Sequence, residues 1–169
     1  MQENQGWVYL LNTQLEQDNA SYKLINASIS GETTTGGLAR LENILSKNKV
    51  DHLLIELGGN DGLRGIPPKL IKNNLLQMIE IAESKDITVS LFEIKIPPNY
   101  GPRYTKMFGD VFTEIADEKE VKLIPFFVGA VVTDPTLMLS DGIHPNVKAQ
   151  PIIAKLVRKE LDKIYSIKK

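Results

Sequence analysis

The chain contains no cysteine. That excludes disulfides, thiolate metal sites and a cysteine nucleophile, and it fits a reducing or an oxidising compartment equally well. Histidine is scarce, with 2 in 169 residues, so imidazole chemistry is confined to His52 and His144. Neither sign of charge is in surplus: 20 Lys plus Arg stand against 21 Asp plus Glu, a formal net charge of -1. Such a chain has no basic field to gather nucleic acid and no acidic tail. The opening MQENQGWVYLLNTQLEQ lacks the basic stretch, apolar run and small-residue cleavage site of a secretory signal. No later stretch approaches the roughly 20 apolar residues needed to cross a bilayer. Composition thus favours a small-molecule partner by elimination.

What is present suits one compact domain spanning 1-169, since 42% hydrophobic residues can bury a sizeable core. Trp7, Leu11 and Leu15 recur at fourfold spacing, which predicts an amphipathic helix over about Gln5 to Asp18. No capping residue stands directly before it, a sign that residues outside this sequence begin the element. YKLINAS predicts a short strand ending near Ser28, and TTTGGLARLENILSK a helix from about Thr35 to Lys47. DHLLIEL is almost continuously apolar, as in a strand buried on both faces of a parallel sheet. After Pro67 and Pro68, Leu75, Met78, Ile79 and Ala82 share a helical face, and ITVSLFEI is the next strand. A helix over about Tyr104 to Glu118, a strand VKLIPFF and a last helix carrying Ile152, Ile153, Leu156, Val157 and Leu161 complete the alternation. The class is α/β with a mainly parallel sheet.

Three polar clusters follow predicted strands, where such sheets place their sites. In SDGIHPN, Asp141 and His144 are three apart beside a proline. A carboxylate beside an imidazole fixes its tautomer and supports the imidazolium formed when histidine takes a proton; the alternative is a surface turn capped by Asp141 or Asn146. In LGGNDGLRG, glycines permit a tight turn that brings N–H groups and the Asn60 amide near an anion, or an ordinary turn capped by Asn60 and Asp61. Neither phosphate-loop glycine spacing occurs. In SISGETTTGG, Gly31 offers an N–H to the same anion, and Thr33 to Thr35 start a helix. His52, at a strand start, is structural or faces solvent.

Taken together, ASISGET, ELGGND, IPPNYGPRY and SDGIHPN, in that order, resemble the SGNH/GDSL hydrolase superfamily, in particular its bacterial arylesterase and thioesterase/lysophospholipase branch. The resemblance runs from about Trp7 to the last helix. It implies a flavodoxin-like three-layer α/β/α sandwich and hydrolysis of carboxylic esters or thioesters through an acyl-serine, with no cofactor or metal. It implies His144 as general base and acid, Asp141 as its orienting partner, and Gly31 and Asn60 as oxyanion donors. Gly58 and Asp61 complete the G-x-N-D block as architecture. Asp61, Gly62 and Leu63 belong to a segment, Asp61 to Gly65, that resembles a mobile loop beside the acyl site. Pro97, Pro98 and Tyr100 lie in Ile96 to Tyr100, which resembles the wall of an acyl groove.

The departure is the nucleophile. None of the eight serines, Ser21, Ser28, Ser30, Ser46, Ser84, Ser90, Ser140 and Ser166, follows Gly-Asp. By the resemblance, the Gly-Asp-Ser block and the first strand lie ahead of Met1. The expectation is therefore an acyl-ester or thioester hydrolase as a complete protein, with little activity and lowered stability in these 169 residues alone. A nonenzymatic remnant that binds acyl chains or a protein partner is the alternative, and nucleotide binding is a weaker one. The resemblance implies a periplasmic or secreted protein if a signal peptide lies upstream, and a cytoplasmic one otherwise.

Overall fold

The computed structural model describes residues 2–165. They fall into two compact units: the first 26 residues with those from Phe127 onward, and Ala27–Phe126.

The second unit is built on a parallel sheet of three strands, β1 (His52–Ile55), β2 (Thr88–Phe92) and β3 (Lys122–Ile124), in the order β1-β2-β3. Leu53 pairs with Val89, and Leu91 with Leu123. Parallel neighbours need a crossover, and the amphipathic stretches provide it. Helix α4 (Pro68–Glu83) links β1 to β2, and α5 (Pro102–Lys119) links β2 to β3. A helix α2 (Thr34–Lys47) precedes β1 and packs on α4. Alternation along β2 sends Val89 and Leu91 into a core with Ile71, Leu75, Ile79, Phe108, Phe112 and Ile115. Ser90 and Phe92 point the other way and are buried too. Each fully buried Leu, Ile or Phe contributes about 1.5–3 kcal/mol relative to exposure. Among the described residues β1 pairs on one side only, and Leu53 and Leu54 are half-buried.

The first unit joins α1 (Trp7–Gln17) to α6 (Gln150–Tyr165). Leu11 and Leu15 are buried on α1, and Ile153, Ala154, Val157 and Leu161 on α6. Tyr22 stacks on Tyr165 at 4.3 Å between ring centroids.

Three expectations change. YKLINAS forms no strand: both backbone groups of Leu24 are taken by the Asn12 amide, its N–H donating to Oδ1 and its carbonyl accepting from Nδ2, each at 2.8 Å. One side chain thus supplies the partners that a neighbouring strand would. The first N–H of α1 also has a cap. It donates from Trp7 to Oε1 of Gln150 at 3.1 Å, so the missing local capping residue is replaced by one distant in sequence. LGGNDG, expected as a turn, contains a short helix, α3 (Gly59–Leu63). The α/β class with a parallel sheet is what the structure shows.

Candidate active site

The turn carrying Asp141 and His144 belongs to the first unit. It is closed by Leu139 N–H donating to the His144 carbonyl at 2.7 Å, and by a bridge between Met138 and Pro145. Gly142 sits at φ 67, a backbone region that suits glycine. Asn146 holds the strand-like ends, donating to the carbonyls of Thr136 at 2.8 Å and Met138 at 3.1 Å while its Oδ1 accepts from Lys148.

Within this turn Asp141 uses both oxygens. Oδ1 accepts the N–H groups of Ile143 at 2.9 Å and His144 at 3.0 Å; Oδ2 meets His144 Nδ1 at 2.8 Å. The His144 backbone bond, then the ring bond and the Ile143 N–H, hold the Asp141 carboxyl down at about 2. It is therefore ionised at neutral pH and can only accept, so the proton of a neutral His144 ring lies on Nδ1 and Nε2 carries the lone pair. Both side chains are exposed. Sequence reasoning named the two residues, and the structure brings them together. It missed Gln150, whose Nε2 donates to the carbonyls of Asn146 at 3.2 Å and Pro145 at 3.5 Å. One buried amide thus ties the histidine turn to the start of α1.

The donor pair belongs to the second unit. Gly31 lies on an exposed turn at φ 77, with open space where a Cβ would stand, so backbone conformation alone calls for glycine there. Its N–H donates to no acceptor among the described residues. The turn is stapled to α2 by Arg40, which pairs with Glu32 at 2.9 Å and donates to the Ala27 carbonyl at 2.7 Å. Thr33 caps α2 by accepting from the Gly36 N–H. β1 hands over to α3 at Gly58, φ 113, where an added Cβ would meet Phe112 at 3.0 Å. Asn60 then donates from Nδ2 to the Glu32 carbonyl at 3.0 Å, and Arg64 reaches the Gly31 carbonyl at 3.3 Å. Asn60 on α3 and Arg64 at its end thereby hold the turn that carries Gly31.

The softer residues separate. Asp61 is fully buried, its carboxylate accepting from the Thr34 N–H at 2.9 Å and the Thr34 hydroxyl at 2.6 Å. Those bonds give it a role in holding the loop. Gly62 is buried as well, because a Cβ there would stand 2.7 Å from both Ile96 and Phe108. Leu63, Pro97 and Tyr100 are half-buried and Pro98 is exposed. The Tyr100 hydroxyl donates to the Leu63 carbonyl at 2.9 Å, joining the two segments. Sequence reasoning missed Tyr104, which donates to the Ile66 carbonyl at 2.7 Å.

His52 is structural, its Nε2 2.9 Å from the hydroxyl of fully buried Ser90. Ser46 and Ser84 bond to carbonyls near the ends of their own helices. Ser21, Ser30 and Ser140 are exposed, and Ser166 lies outside the described residues.

With a carboxylate-oriented imidazole and two placed donors established, likeness to known proteins is decisive. The model of the GDSL-like Lipase/Acylhydrolase family matches residues 2–151. The chain belongs to that family. It is 46% identical over 158 residues to an arylesterase of Vibrio mimicus, covering 94% of this chain and 79% of that one. It is 39% identical over 166 residues to thioesterase 1/protease 1/lysophospholipase L1 of Escherichia coli K12, covering 98% and 78%. Among solved structures, the psychrotrophic esterase EstA of Pseudoalteromonas sp. superposes with a TM-score of 0.95 at 42% identity, covering 98% of this chain and 91% of that one. This GDSL-like chain therefore shares the fold of SGNH hydrolases. Among its described residues no helix is long and apolar enough to cross a membrane, and no three His, Asp or Glu cluster to hold a metal.

Proposed function

We propose that this chain carries the acid–base dyad and oxyanion donors for hydrolysis of carboxylic esters or thioesters, of the arylesterase, lysophospholipase or acyl-thioesterase type. The observation that carries the reading is the double grip of Asp141 on His144, which frees Nε2 to take a proton from a nucleophile and return it to a leaving group. Gly31 N–H and the Asn60 amide are donors of the kind that stabilise a tetrahedral oxyanion. The similar esterase EstA from Pseudoalteromonas sp. has a structure inhibited by monoethylphosphonate, a tetrahedral anion that such donors suit. Support for reading the two sets as parts of one hydrolase domain comes from the family match, which runs through both.

The reading needs a serine that follows Gly-Asp, and these 169 residues have none. The test is a p-nitrophenyl ester assay on two chains: the 169 residues alone, and the same residues preceded by a designed strand ending in Gly-Asp-Ser. Turnover in the extended chain, and near-background rates in the shorter one, are expected. A folded extended chain without turnover overturns the assignment. Ordinary esterase turnover by the 169 residues alone overturns the placement of the nucleophile.

A further inference from the structure

Behind the Asn60 amide lies a buried polar chain that crosses three helices. The Asp61 carboxylate on α3 accepts the Thr34 hydroxyl at 2.6 Å. Thr34, at the start of α2, is in turn 3.0 Å from Asn74 Nδ2, and the same nitrogen is 3.0 Å from the Thr35 hydroxyl. Asp61, Thr34 and Asn74 are all buried.

The direction of these bonds is fixed by counting protons. Thr34 has one hydroxyl proton, and the carboxylate requires it. The Thr34 oxygen can then only accept from its other neighbour, so Asn74 must present its NH2 and not its carbonyl. Its two protons serve Thr34 and Thr35. An amide in the middle of an apolar helix face is costly unless so paired, and the other buried positions of α4 are Ile71, Leu75, Met78, Ile79 and Ala82. Asn74 therefore stands on α4 for a polar purpose. Its bond orients the Thr34 hydroxyl, that hydroxyl and the Thr34 N–H clamp Asp61, and Asp61 fixes the turn of α3 on which its neighbour Asn60 reaches the Glu32 carbonyl.

We propose that Asn74, acting through Thr34 and Asp61, is a positioning residue that sets the direction of the Asn60 amide. Its catalytic meaning rests on the oxyanion reading of Asn60 given above. Any loss of one hydrogen-bonded pair would lower stability, so the readout must be the Asn60 amide itself. In the 15N-labelled 169-residue chain, slow rotation about the amide C–N bond keeps its two side-chain protons as separate signals, so the one donated to Glu32 can be followed by its shift and its exchange with water. Asn74→Leu and Thr34→Val should move the bonded proton's shift toward that of a free side-chain amide and speed its exchange with water about tenfold. Thr34→Ser, which keeps the hydroxyl, should retain the native pattern, and unchanged Val89 and Leu91 backbone signals report an intact sheet. If Asn74→Leu does not fold, the comparison of Thr34→Val with Thr34→Ser stands alone. Asn60 signals that stay native in the valine variant, whatever the change in melting temperature, overturn the proposal. Signals that respond as expected, in a protein whose extended form lacks turnover, instead overturn the oxyanion reading and leave the positioning network standing.

Discussion

Asp141 holds His144 at two points, taking its backbone N–H at 3.0 Å on one oxygen and its ring Nδ1 at 2.8 Å on the other. The residue that orients the ring therefore also shapes the turn that carries it.

Its carboxyl should titrate at about 2, readable from its 13C shift. A folded value below the ordinary carboxylate range means that these bonds stabilise the turn fully above about pH 4. The support is lost as pH falls through the folded value. The amides of Ile143 and His144 should therefore lose exchange protection between pH 4 and 2. A midpoint near 4 would contradict the double grip.

Gln150→Ala should loosen both ends that its amide joins. It removes the bond to the Trp7 N–H and one of the two that the Asn146 carbonyl accepts, the other coming from the Ala149 N–H, for a loss of about 1–3 kcal/mol in urea unfolding. Faster amide exchange should appear in the first turn of α1. An unchanged midpoint would show that the tertiary cap contributes nothing.

Gly62→Ala should destabilise by overpacking. The new methyl would stand 2.7 Å from Ile96 and from the fully buried ring of Phe108. A cost of about 1–3 kcal/mol is expected, with Phe108 ring signals displaced. A neutral substitution would mean that the loop is looser than its packing indicates.

Tyr104→Phe keeps the ring and removes the bond to the Ile66 carbonyl. Stability should fall by about 0.5–1.5 kcal/mol, with faster exchange at Ile66, whose N–H closes the loop onto the Asp61 carbonyl. Equal exchange in both proteins would remove the hydroxyl from any role in holding that loop.

These predictions divide along the line between what is local in sequence and what is not. DHLLIEL is legible as an almost unbroken apolar run, and the Leu75, Met78, Ile79, Ala82 face as a helical period that can be counted along the chain. Asp141 and His144 are legible because one turn holds both. Gln150 is not, since its partner Trp7 is 143 residues away. Nor is the fate of YKLINAS, whose composition suits a strand; the Asn12 amide satisfies Leu24, and nothing local signals that pairing. Asp61 lies within a recognisable motif, yet only the fold reveals that its carboxylate faces Thr34. Buried polar networks are specified by three-dimensional partners, so sequence periodicity leaves them unseen.

His144 is the residue on which the proposed chemistry turns. In the chain extended by a strand ending in Gly-Asp-Ser, the measurement is the ratio of p-nitrophenyl ester turnover between the native histidine and His144→Ala. A fall on the order of 10,000-fold or more is predicted, the cost of losing the base from a serine triad. Turnover that survives the substitution within a few fold would contradict the account.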